Sequence, residues 1–208
     1  MGEEQLFPPS PEDTHTQLMK ATYEALCEHG YSELTIQRIG DEFPKSKSLI
    51  YQHYDGKDDL LVAFLEFLLE QFEADVPTDG FADAREHMFS IIDHALPESL
   101  DSGHEEFLGA VEALRGQAPH NETYREQFRK LNDFYRTHTA DVIRAGIDQG
   151  VFRDVDPERT AGYVVTTIHG ARSLRVTVDS HEPIREARTE LETYVREELV
   201  ASDAEKLN

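Results

Sequence analysis

Residues Thr35–Leu61 read TIQRIGDEFPKSKSLIYQHYDGKDDLL. Thr35 is a side chain that can accept a hydrogen bond from the free N–H groups at a helix start. Behind it, Ile36, Ile39 and Phe43 recur at helical spacing. Pro44 ends this short helix, since its nitrogen carries no proton and it disfavours helical geometry in the residue before it. Ser46 caps a second short run, SKSLIYQH, whose apolar positions are Leu49 and Ile50. The segment YDGK then turns the chain into a long apolar helix, from about Asp58 to Ala74. Two short helices joined by a tight turn, after a longer one, describe a helix-turn-helix: Thr35–Phe43, turn Pro44–Lys45, then Ser46–His53. With the apolar residues between the helices, Lys45, Lys47, Ser48, Tyr51, Gln52 and His53 are left facing out. Ammonium, hydroxyl and amide groups suit phosphates and base edges. The second helix of such a unit enters the major groove by its N-terminal end.

Pro44 to Tyr54 contains no acid, in a chain that carries 42 Asp and Glu against 20 Lys and Arg, a formal net charge of −22. A carboxylate in that stretch would face a phosphate. Elsewhere the acids are spread through every segment, and only six of the bases are Lys. A diffuse acidic surface poor in Lys resembles the proteins of salt-loving organisms, and a halophilic setting is the expectation. Such a charge keeps a protein soluble but self-repels and pushes polyanions away. Cys27 is alone, which excludes an internal disulfide or a cysteine metal cluster and fits a reducing cytoplasm. MGEEQLFPPSPED lacks the apolar core of a signal peptide. The most apolar run, Leu60 to Leu69, is interrupted by Glu66 and is far short of the ~20 residues that span a bilayer. A cytoplasmic protein without membrane contact is expected.

Apolar spacing is helical almost throughout the 208 residues. The first ten or so residues read as a flexible arm, kept from being helical by Pro8, Pro9 and Pro11. Helices are expected at 11–29, ended by Gly30 as a C-terminal cap, and at 35–43, 46–53, 58–74, 81–96, 104–116, 121–149, 157–178 and 183–201. The reading is all-α with two domains: an arm and helix-turn-helix over 1–57, and a larger helical domain over 58–208.

The segment HGYSELTIQRIGDEFPKSKSLIYQHYDGKDDLL, His29–Leu61, resembles the N-terminal signature of TetR-type transcriptional regulators. The shared features are a glycine–tyrosine pair, a threonine-capped helix, a serine cap, an Ile-Tyr-x-His-aromatic run, and a lysine followed by two acids and leucine. The sequence departs from the family at Phe43–Pro44, where small residues and glycine are usual, at Lys45 in place of valine, and at Ser48 in place of glycine. The resemblance implies a sequence-specific DNA-binding regulator, a repressor controlled by a small ligand or stress signal, bound to a palindromic double-stranded operator. It implies that Thr35 caps a helix or meets a phosphate, and that Lys47 and Ser48 lie at the groove. Tyr51 and His53 would grip the backbone, and Lys57 would meet a phosphate at the positive N-terminus of its helix. The full candidate DNA-binding set is Thr35, Arg38, Lys45, Ser46, Lys47, Ser48, Tyr51, Gln52, His53 and Lys57.

The resemblance also implies that the larger domain dimerises and holds an effector. In helix 183–201 an apolar stripe carries Ile184, Ala187, Leu191, Tyr194 and Val195. Helix 157–178 carries Val164, Ile168 and Ala171 among its apolar positions. These eight residues are the expected homodimer interface. Polar handles within apolar stripes suggest a pocket lined by Phe89, Phe107, Val111, Phe128, Tyr135, His138 and Ile168; an ordinary bundle core is the alternative for each. No nucleophile–base pair or Gly-rich phosphate loop can be picked out. His87 and His94, seven apart on one helix, are too far apart to share a metal. No enzyme, cofactor or metal is expected. A ligand- or protein-binding adaptor that kept the fold and lost tight DNA binding is the rival reading.

Overall fold

The structure is a computed structural model, and it describes Phe7 and residues 13–74, 80–97, 99 and 102–201. Among the described residues there are nine α-helices: α1 Thr14–Glu33, α2 Ile36–Glu42, α3 Lys47–His53, α4 Lys57–Ala74, α5 Ala84–Ala95, α6 Ser102–Gln117, α7 Glu122–Asp148, α8 Pro157–Thr177 and α9 Glu182–Tyr194. The all-helical reading and the positions of the helices agree with the sequence. By contact the chain divides into two compact units, residues 1–75 with 100–131, and residues 76–99 with 132–208. This division follows packing, and the boundary expected at residues 57 and 58 falls inside the first unit.

In the first unit, Asp13 caps α1 by accepting a 2.8 Å bond from the Thr16 N–H. Gly30 breaks the helix at φ +64°, a left-handed conformation that costs glycine little. One face of α1, including Leu18, Ala21, Ala25 and Leu26, is buried, and α1 packs chiefly on α6 and α2. Leu60, Leu61, Phe64, Leu65, Phe67 and Leu68 put most of α4 into this core. The expected N-terminal arm lies outside the described residues except at Phe7. That side chain is buried, its ring 5.4 Å from Phe67 and 5.7 Å from Tyr23.

The second unit is a core of α5, the later part of α7, α8 and α9, built on Met88, Ile92, Val142, Ile143, Phe152, Val164, Leu191 and Leu199. The helix expected over 183–201 is shorter. After Tyr194 it widens into a π-helical turn, Val195–Leu199. The reason is a competing partner. Arg153 N–H donates to Leu199 O and Ala201 N–H to Val151 O, and Phe152 and Val200 form an antiparallel bridge. The segment Leu199–Ala201 thus leaves the helix to pair with residues 151–153.

The apolar stripes expected at the homodimer interface are also packed within the chain. Val164, Leu191 and Val195 are wholly buried within the single chain, and Ile168, Ala171 and Ile184 nearly so. Ala187 and Tyr194 are partly buried against the same core. The stripes expected to meet a second chain are used by the chain's own packing, because α8 and α9 press their apolar faces together.

Candidate nucleic-acid interface

Helices α2 and α3 form the pair expected from the sequence. Thr35 caps α2, its Oγ1 accepting from the Arg38 N–H at 3.2 Å. Ser46 caps α3, its Oγ accepting from the Ser48 N–H at 3.4 Å and lying 2.8 Å from the Ser48 hydroxyl. Ile36, Ile39, Phe43 and Ile50 are buried and hold the pair together and against the unit. Gly40 leaves room for Lys47 at the crossing, since a Cβ there would sit 2.6 Å from Lys47 Cγ and the lysine side chain would have to shift. The outward side of α3 carries Ser48, Tyr51, Gln52 and His53, all exposed, with Tyr51 at 64%. This brings the expected base-reading and backbone-gripping groups onto one exposed helix.

The basic side chains are less free than their sequence suggests. Arg38 Nη1 donates to Glu33 O at 2.5 Å and to Glu33 Oε2 at 3.3 Å. Lys45 Nζ donates to Thr14 Oγ1 at 2.5 Å. Lys47 donates to Gln37 O at 3.2 Å and is ion-paired with Asp41. Lys57 Nζ donates to Tyr31 O at 3.3 Å and lies 4.4 Å over the centre of the Tyr31 ring, a cation–π contact. Each cation is thus held by the chain's own acceptors.

Lys57 leads into a cluster that sequence reasoning missed. Tyr124, in the first turn of α7, is buried and donates its hydroxyl to Asp58 Oδ1 at 2.8 Å. Tyr31 shares this network, and burial, followed by the negative charge of Asp58, raises its phenol above the ordinary range. Burial, then the bond to Asp58, pushes the Tyr124 phenol higher still, so it stays a donor. One turn on in α7, Gln127 Nε2 donates to Glu66 Oε1 at 2.8 Å. The first turns of α4 and α7 are therefore fastened to each other and to the corner after α1. The signal in the sequence was Tyr124 on an otherwise apolar face; its partner 66 residues away could not be read.

The residues expected to line a pocket divide between the units. Phe107, Val111 and Phe128 belong to the first, where Phe107 lies 4.7 Å from Tyr23 and Arg115 covers Phe128 at 4.6 Å. Phe89, Tyr135, His138 and Ile168 belong to the second, where Phe89 meets Arg196 at 5.1 Å and Tyr135 meets His169 at 6.1 Å. Among the described residues no group of three or more His, Cys, Asp or Glu is placed to hold a metal ion. No helix among them is long and apolar enough to cross a membrane.

Known proteins match this architecture. A family model described as bacterial regulatory proteins, tetR family, matches residues 18–64, and one described as BetI-type transcriptional repressor, C-terminal, matches residues 84–200. The chain belongs to the TetR family of transcriptional regulators, helix-turn-helix proteins that are not enzymes. It is 26% identical over 167 residues to the HTH-type transcriptional repressor KstR2 of Rhodococcus jostii (strain RHA1), covering 74% of this chain and 78% of KstR2. A 66-residue match to HbdR of Aromatoleum sp. (strain CIB), at 35% identity, covers 32% of this chain and only 29% of that regulator. Among solved structures, a TetR transcription regulator from Haloarcula marismortui is 38% identical, with a TM-score of 0.80 over 91% of this chain and 100% of that one. A putative regulator from Saccharomonospora viridis, crystallised in complex with choline, has the same fold at 23% identity and a TM-score of 0.73, over 90% of this chain and 98% of that one.

Proposed function

We propose that the chain is a ligand-controlled repressor that binds a palindromic operator as a homodimer, reading each half-site with α3. The observation that carries this is the exposed face of α3, where Ser48, Tyr51, Gln52 and His53 stand on a capped helix free of acids from Lys47 to His53. One short recognition helix makes too few contacts for tight binding, and a twofold pair reads two half-sites. The second chain finds its surface on α8. Tyr163, Leu174 and Val178 are 47%, 50% and 56% exposed, and with Gly170 they share one helical face. This face replaces the buried stripe as the proposed homodimer contact.

On this reading residues 1–57 serve DNA binding and 58–208 serve regulation. Lys47 and Arg38 exchange their internal acceptors for phosphates on binding, while Ser48, Gln52 and Tyr51 meet the duplex directly. The effector is a small molecule held by the C-terminal helices. A small cation such as the choline held by the Saccharomonospora viridis regulator is the first candidate, since the second unit is rich in aromatic rings that attract cations. The dispersed negative charge supports a setting of high salt.

Selection of bound duplexes from random double-stranded DNA tests the reading. Recovery of one inverted repeat, with half-sites about one helical turn apart, is the expected result. Recovery of no common sequence, from protein that is folded and dimeric, would favour the adaptor.

A further inference from the structure

Helices α5 and α7 meet through two histidines. His87 Nε2 and His138 Nε2 lie 3.2 Å apart, and the Phe81 ring packs on both imidazoles at 4.6 and 5.5 Å. The Phe134 ring stacks parallel to His138 at 6.0 Å. His138 Nδ1 is buried and has no hydrogen-bond partner among the described residues. The contact therefore has a preferred tautomer. If His138 accepted at Nε2, its proton would sit on Nδ1, a buried donor with nothing to bond. With the proton on Nε2, His138 donates to His87 and leaves only an unprotonated acceptor buried. The same argument weighs against a shared metal ion, because a ligating His138 would have to carry that unpaired Nδ1–H.

We propose that the His87–His138 contact is an acid-operated latch, closed while the two facing nitrogens share one proton and opened when the pair takes up a second. A second proton has two places to go. On the facing nitrogen of His87 it sets two N–H groups head to head; on His138 Nδ1 it buries a charge without a partner. The first route forces the rings apart; the second keeps the bond to His87 but is disfavoured by the buried charge, so uptake of the second proton favours the opened pair. The charges acting on the pair are His94 on α5, which disfavours protonation of His87, and Asp141 on α7, which favours it at His138 and is itself paired with Arg144. Neither imidazole is paired with a carboxylate among the described residues. Burial holds both below the ordinary histidine range, which agrees with a neutral pair. Protons then bind the unfolded chain better than the folded one. The latch's stabilisation is complete above the ordinary value of about 6.5 and is lost as pH falls below it. Gln149 closes the neighbouring end of the same junction, donating to Phe81 O at 2.6 Å and accepting from the Ala84 N–H at 3.1 Å. Opening the pair leaves this fastening at the start of α5.

The test is imidazole nitrogen NMR on the intact wild-type protein between pH 8 and pH 5. The expected result is His138 protonated on Nε2 at pH 7.5, with both histidines titrating together below the ordinary range. A His138 protonated on Nδ1, or either ring titrating near 6.5 without disturbing the other, would overturn the proposal. The double variant His87→Phe/His138→Phe gives a second readout, the melting temperature against pH. Wild type should lose more between pH 7 and pH 5.5 than the variant, and equal losses would also overturn it. Should the variant fail to fold, the wild-type spectra decide alone.

Discussion

Tyr51 and Lys57 have the same expected role, and the structure separates them. Tyr51 is largely exposed on α3 and touches no core. Tyr51→Ala should leave thermal stability within about 0.5 kcal/mol and weaken operator binding about three- to tenfold, to a similar extent on related operator sequences, as loss of a backbone contact does. Fluorescence anisotropy with two operators differing at one base checks this; unchanged affinity would remove Tyr51 from the interface. Lys57 instead closes over Tyr31. The composition of its segment could show that it begins a helix, but not that an aromatic ring 26 residues earlier would take its charge. The same limit applies to Lys47. Its place on the recognition helix was legible, while its pairing with Asp41 depends on how α2 crosses α3 at Gly40.

At the level of elements, the capped short helices and the Pro44 break were legible because their signals are local: a hydroxyl, a proline, a helical period. Which apolar face meets which partner was not, because α8 and α9 carry stripes that would serve one chain or two equally well. Within the single chain these faces are already largely buried. Leu191→Glu, in the single-chain core, should unfold or severely destabilise the protein rather than yield a folded monomer. Leu174→Glu with Val178→Glu, on the exposed face at the end of α8 and its C-cap, should leave the helical circular dichroism intact and give a monomer by light scattering. A double variant that stays dimeric would place the contact elsewhere. The fastening of α7 to α4 makes a separate prediction. Tyr124→Phe removes one part-buried hydrogen bond to a carboxylate and should cost about 1 kcal/mol in chemical denaturation. A smaller loss would mean that Asp58 is satisfied by water and that the first turns of α4 and α7 are not held by this bond.

Across the whole molecule, charge sets the conditions under which the reading head can work. Arg38, Lys45, Lys47 and Lys57 stand among Glu33, Asp41, Glu42, Asp55, Asp58 and Asp59, so even the DNA-facing region carries more acids than bases. DNA binders normally lose affinity steeply with salt as Lys and Arg release counterions from phosphates. Here each cation must first leave an internal partner, and a chain of net charge −22 repels the duplex. At about 1 M salt the screening length is only ~3 Å, so that repulsion is nearly gone, and cations can sit between carboxylates and phosphates. Operator affinity is therefore expected to be nearly flat, or to rise, with KCl up to molar concentrations, over the range where circular dichroism shows the protein folded. A steep, monotonic loss over that range would contradict both the cation bridging and the proposed high-salt setting. The central claim, that α3 reads DNA sequence, is tested most directly by the affinity for the selected inverted repeat against that for a scrambled duplex of equal length at one fixed salt. The account predicts two chains per duplex and a preference of at least about 10³-fold, and equal affinity for the two duplexes would contradict it.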